Sequence, residues 1–181
     1  MQAWLQSFPL HLEISVNISS RQFSQANLVD QVSLALSESG LPPSRLKLEI
    51  TESVIMENAE SAIAMLSRLK ELGARVAIDD FGTGYSSLGY LLRFPADTIK
   101  IDRSFISALA RGKRNQQLVE AIVSLSRGLG MDVVAEGVET EEQRAQLISL
   151  GCRYGQGFLF SRPLDRDRTT ALLAAEVEAA G

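Results

Sequence analysis

"LKLEIT", residues 46–51, alternates without a break: Leu46, Leu48 and Ile50 point one way, and Lys47, Glu49 and Thr51 the other. Successive side chains of a β-strand project to opposite faces, so this stretch predicts a strand with one apolar and one ionic face. The same parity recurs. In "LEISVNIS" (12–19), Ile14, Val16 and Ile18 oppose Ser15, Asn17 and Ser19. In "TIKID" (98–102), Ile99 and Ile101 oppose Thr98, Lys100 and Asp102. "RVAID" (75–79), "DVVAEG" (132–137) and a weaker "YGQGFLF" (154–160) complete six strand candidates.

Helical patterns lie between and after them, at roughly 25–39, 57–72, 113–128, 141–149 and 166–179. Met65, Leu69 and Leu72 keep helical spacing in the second, and Leu118, Ile122 and Leu125 in the third. "TEEQ" (140–143) reads as a capping box, in which Thr140 caps and Gln143 reaches back. Gly40, Gly73 and Gly130 stand where helix C-caps belong. Strand–helix alternation predicts a parallel sheet covered by helices. The apolar strand face then packs on the helices and the polar face turns inward, which is the arrangement of a parallel barrel. Asn17, Glu49, Asp79, Lys100 and Glu136 fall at or near the C-terminal ends of their strands, where such barrels build active sites. Gln156, early in the weak last strand, fits that placement least well.

Composition narrows the chemistry. The 181 residues, 45% hydrophobic and 22% charged, predict a single domain spanning 1–181 with a real core. A net charge of −4 argues against a broad basic surface for duplex nucleic acid. Cys152 is the only cysteine and His11 the only histidine. A disulfide framework, a cysteine zinc site and histidine-rich metal sites are therefore set aside. Any metal would be held mainly by oxygen, which favours magnesium, manganese or calcium. No apolar run is long enough to span a bilayer, and the first residues lack the pattern of a signal peptide, so a cytoplasmic location is expected.

"VAIDDFGTGYSS" (76–87) sets two carboxylates side by side, Asp79 and Asp80, before a turn containing Gly82 and Gly84. Like charges repel at that distance, so a helix start, an ion pair or a metal must hold them. Strand-end residues often cap the next helix, but Glu, Lys and Gln cap poorly, and "GTG" does not resemble a helix start. Lys100 alone cannot balance Glu49, Asp79, Asp80 and Glu136, and buried charges without partners are costly. One or two divalent cations resolve the imbalance and bring phosphoryl chemistry within reach. Asp79 is the natural bridging ligand. Asp80, of opposite parity, reaches the site only if the chain turns at once, which Gly82 and Gly84 allow.

"LEITES", "AIDDFGTGYSSLGYL", "IKIDRSFI", "VVAEGVET" and "YGQGFLFSRP" together resemble, in order, the motifs of the bacterial EAL-domain cyclic di-GMP phosphodiesterases. The resemblance covers essentially the whole chain. It implies a modified TIM (β/α) barrel that hydrolyses cyclic di-GMP to linear pGpG with Mg2+ or Mn2+. By motif, Asn17, Glu49 and Asp79 would ligate metal, and Asp80 and Glu136 would complete the shell of a second ion. Lys100 would position and polarise the attacking water, Gln156 would support the site, and Glu52 would steady the "DDFGTG" loop with its glycines. The Glu-Ala-Leu tripeptide that names the family does not occur here. The chain begins inside the helix before "VNIS", so an incomplete barrel of about six of eight strands is expected, without one metal ligand and a substrate arginine. Arg153 stands where the family usually has aspartate, a departure expected to be peripheral. The family also implies homodimerisation around "DDFGTGYSS" and an upstream sensor or GGDEF-type domain. A six-stranded arc should expose strands 12–19 and 154–160 as open edges. The alternative reading is a non-catalytic cyclic di-GMP receptor or interaction module; an unrelated magnesium-dependent barrel lyase fits the motif order poorly.

Overall fold

The computed structural model describes residues 2–84, 88–109 and 112–180. Six parallel strands run in sequence order: β1 (Ile14–Asn17), β2 (Leu46–Thr51), β3 (Arg75–Phe81), β4 (Thr98–Ile101), β5 (Asp132–Glu136) and β6 (Tyr154–Gln156). Each neighbour in the sheet is also the next strand in the chain, so each crossover carries helix to one face, as the alternation requires. The sheet curls into an incomplete barrel with β1 and β6 outermost.

Helices α1 (Gln2–Ser7), α2 (Ser20–Phe23), α3 (Leu28–Ser39), α4 (Glu52–Glu57) and α5 (Ala59–Glu71) accompany the first three strands. The rest are α6 (Leu88–Leu91), α7 (Arg103–Ser107), α8 (Lys113–Gly128), α9 (Glu141–Ser149) and α10 (Arg166–Ala180). Two expected helices, at 25–39 and 57–72, are each preceded by a short helix that the pattern does not predict. Residues 20–39 hold α2, opened by a capping box between Ser19 and Gln22, and then α3. Asn58 separates α4 from α5 because its side chain accepts the Ser61 N–H and starts a new helix. The capping box at Thr140 and Gln143 opens α9 as the motif predicts. The expected last strand is shorter than its apolar run: after Gln156 the chain turns, and Phe160 N–H bonds back to Gly157 O.

The core lies between the sheet and its helices. Leu48, Ile50, Val76, Ile78, Ile99 and Ile101 form the outward strand face and are all at most 1% exposed. Leu66 and Leu69 of α5 and Val119 of α8 are also fully buried. The inward face is ionic even at its floor. Glu13 Oε1 lies 2.5 Å from Arg75 Nη1 and its Oε2 3.0 Å from Lys47 Nζ, and Arg75 Nη2 reaches Asp132 Oδ2 at 3.4 Å. That floor is balanced, two cations to two anions. Across the opening, Trp4 Nε1 of α1 donates to Thr170 Oγ1 of α10 at 2.9 Å. Among the described residues, no helix is long and apolar enough to cross a membrane.

Candidate functional site

The upper mouth of the arc has the opposite balance. β1 ends at Asn17, which stands in register with Glu49 on β2, and Glu49 in turn faces Ala77 on β3. Ala77 pairs with Thr98, two residues before Lys100 on β4. Glu136 ends β5 in register with Gln156, the last residue of β6. Gln156 therefore does stand at a strand end, because β6 is cut short. The Asn17 and Gln156 side chains belong to the exposed outer strands, and the charged residues are buried or half-buried between them.

Lys100 is the centre of the arrangement. Its Nζ lies 2.5 Å from Glu49 Oε2, 2.7 Å from Glu136 Oε1 and 3.2 Å from Asp79 Oδ1. Three carboxylates from three different strands thus share one ammonium, whose side chain is only 6% exposed. Burial opposes the lysine's charge, but the hydrogen bonds to Glu136 and Glu49 and the charge of Asp79 outweigh it, so Lys100 is held more firmly protonated than usual. Burial pushes the Glu136 carboxyl up, the Lys100 ammonium pulls it down, and the charges of Asp79 and Glu49 help leave it above the ordinary value. Asp80 is raised first by burial and then by Asp79 and Asp102. Two raised carboxyls beside an ammonium shared by three carboxylates mark an excess of negative charge.

The two adjacent aspartates reach the mouth by a route that strand parity does not anticipate. Ile78 pairs with Ile99 but Phe81 with Ile101, so β3 carries one extra residue at a bulge spanning Asp79 and Asp80. Asp80 is the only non-glycine among the described residues with a positive φ, 53°, and its N–H donates to Asp79 Oδ1 at 3.0 Å. The turn is therefore made by Asp80 within the strand, before the glycines are reached. Their part comes later: Gly82, with φ 97°, donates its N–H to Glu52 Oε2 at 2.8 Å. A Cβ on Gly84 would stand 3.1 Å from Glu52 Oε1, so this glycine leaves room for the buried carboxylate. Tyr85, Ser86 and Ser87, the end of the stretch associated with dimer contacts, lie outside the described residues.

Oxygens of Asp79, Asp80 and Glu136 lie within 4.8 Å of one another, close enough to surround one cation. The donor set is all carboxylate and fits a hard divalent ion such as magnesium or manganese. Glu49 is turned toward Lys100 and stands outside that trio. Beside Glu136 and Gln156 a shallow cavity of about 200 Å³ is lined also by Arg103, Glu139 and Phe158. Strand parity did not single out Arg103 or Phe158. Arg103 directly follows the "TIKID" strand and opens α7, and its place just after a strand end was the available signal.

Known proteins share this fold. The chain is 47% identical over 174 residues to the bifunctional diguanylate cyclase/cyclic di-GMP phosphodiesterase MucR of Pseudomonas aeruginosa, covering 96% of this chain and 25% of that protein. The chain thus spans about a quarter of the length of the curated relatives it matches first. A solved structure of the PaMucR phosphodiesterase in complex with c-di-GMP superposes with a TM-score of 0.90 at 47% identity, over 93% of this chain and 68% of the other. A manganese/cy-diGMP complex of Klebsiella pneumoniae BlrP1 superposes at 0.80 with 35% identity, over 90% of this chain and 42% of the other. The model of the EAL domain matches residues 1–163, so it is to the EAL-domain family that this chain belongs.

Proposed function

We propose that this chain carries the carboxylate-and-lysine mouth of a metal-dependent phosphodiesterase that hydrolyses cyclic di-GMP to linear pGpG. One observation carries the reading: four carboxylates, Glu49, Asp79, Asp80 and Glu136, converge on a mouth where, among the described residues, Lys100 is the cation within ion-pair distance of three of them. The ionic floor of the same barrel balances its own charges, so the excess is local to the mouth. A divalent ion, Mg2+ or Mn2+, held by Asp79, Asp80 and Glu136 with Asn17 and Glu49 nearby, would polarise the phosphodiester and supply a nucleophile at neutral pH.

The chain's own groups account for the remaining requirements. Glu136, whose carboxylate also borders the cavity, takes the proton of the attacking water as the new P–O bond forms. Lys100 stabilises the charge that builds on the phosphoryl oxygens while the P–O3′ bond breaks and the leaving oxygen picks up a proton from solvent. Gln156 borders the cavity and offers a neutral amide to the reacting groups. Arg103 and Phe158, on its wall, present a guanidinium to a phosphate and a ring face to a base. Glu52, through Gly82 N–H, keeps the segment after Asp80 in place. The proposed setting is a cytoplasmic homodimer joined to an upstream sensor or GGDEF-type domain; the diguanylate cyclase named in the Pseudomonas relative supports the latter.

The test pairs calorimetric Mn2+ titration with nucleotide chromatography after incubation with cyclic di-GMP. Asp79→Asn should abolish Mn2+ binding and pGpG release while leaving the circular dichroism spectrum unchanged. Unchanged Mn2+ affinity in that variant would remove the metal assignment. Binding of cyclic di-GMP without turnover in the Mn2+-loaded chain would make it a receptor instead.

A further inference from the structure

The lysine that charge stabilisation would call upon already stands within ion-pair distance of three carboxylates. An ammonium has three N–H groups, and Lys100 has three carboxylate partners at 2.5, 2.7 and 3.2 Å, one each from β2, β5 and β3. Lys100 on β4 and Glu49 on β2 are separated by β3, where the small, fully buried Ala77 stands in register with Glu49. Two of its three partners, Asp79 and Glu136, also belong to the carboxylate trio that could surround a cation. The same two carboxylates are thus claimed by the ammonium and by any ion that enters.

We propose that Lys100 is a built-in counter-cation: it holds Glu49, Asp79 and Glu136 together while no divalent ion is bound and releases Asp79 and Glu136 when one binds. The inference rests on the metal reading above and extends it to how the site is kept assembled and then switched. Without a cation, like charges from three strands would push the mouth apart, and removing one partner of a buried ion pair is strongly destabilising. Once a divalent ion supplies the positive charge, the freed ammonium N–H groups become available to the substrate's phosphoryl oxygens. Ammonium and metal are then linked competitors, and each weakens the other's hold on the shared carboxylates by the same factor. A lysine that only positions water has no such linkage.

Lys100→Met keeps the stem and removes the charge. Two readings on the purified chain test the inference: thermal melting with and without Mn2+, and Mn2+ affinity by calorimetry. The expected result is a lower melting temperature without metal and a larger rise on adding Mn2+. Mn2+ affinity should increase roughly tenfold, within the usual range of coupling between linked sites. A variant that folds only in the presence of Mn2+ is the strong form of the same result. Affinity equal to or weaker than wild type, or a chain that stays unfolded with Mn2+ present, overturns the counter-cation role. If wild type binds Mn2+ in an Asp79-dependent way and Lys100→Met binds no tighter, this inference alone fails. If wild type binds no Mn2+, the metal reading fails and this inference falls with it.

Discussion

Gly82→Ala isolates the hinge behind the two aspartates. Gly82 has φ 97°, a conformation that L side chains rarely adopt, and an added Cβ would lie 2.8 Å from Phe105 Cε2 and 3.0 Å from its Cζ. Left-handed backbone costs a non-glycine residue about 1–2 kcal/mol. Forcing an extra carbon into a packed contact costs about 1–3 kcal/mol more. Phe105, on α7, is partly buried against the core, and Ile122 Cδ1 lies 3.7 Å from the same added carbon, so the alanine meets packed side chains. The expected loss is therefore about 2–5 kcal/mol. Gly130→Ala is the matched control: its φ is also positive, 72°, but a Cβ there meets nothing within 4 Å. It should cost about 1 kcal/mol, the conformational share alone. Urea melts of the two variants at unchanged m-value read the difference. Because Gly82 N–H bonds Glu52, the alanine should also loosen the bulge at Asp79 and Asp80 and weaken Mn2+ binding, which Gly130→Ala should leave alone. Equal costs for the two alanines, or a Gly82→Ala loss below about 0.5 kcal/mol, would refute the steric argument.

Two further outcomes follow from features away from the mouth. Burial raises the Glu13 carboxyl, but hydrogen bonds from Lys47 and Arg75 overcome this and hold it below its ordinary value. Its stabilising contribution is therefore complete above the unfolded glutamate pKa and is lost as pH falls through the lower folded value. Glu13→Gln should cost about 1.5–3 kcal/mol at pH 7 and flatten the acid limb of a stability-against-pH curve; an unchanged acid limb would count against the floor network. Thr140→Ala removes the acceptor of the Gln143 N–H at the start of α9 and should cost about 1 kcal/mol in thermal melts, whereas a loss confined to noise would show the cap to be redundant.

Much of the fold is written in short-range pattern. The strand 46–51 and the helices 113–128 and 141–149 occur as their alternation, spacing and capping box predict, because parity, 3.6-residue spacing and a cap are properties of neighbours in the chain. The caps Ser19 and Asn58 are equally local: Ser19 ends the strand pattern 12–19 and opens a short helix the pattern does not predict, and Asn58 starts α5 within the expected stretch 57–72. The motif order pointed to the family before any contact was known. Other features depended on which strand lies beside which. The extra residue at Asp79 and Asp80 exists only relative to the pairing of β3 with β4, and Asp80's positive φ follows from it. The weak last strand stops at Gln156 because pairing with β5 ends at Glu136, although the apolar run continues to Phe160. Lys100 illustrates the division most clearly. Its inward direction is legible in "TIKID", but the partners that share it stand 51, 21 and 36 positions away on three strands. Only the curl of the sheet, which closes those long separations to hydrogen-bond distance, decides that one ammonium serves three carboxylates.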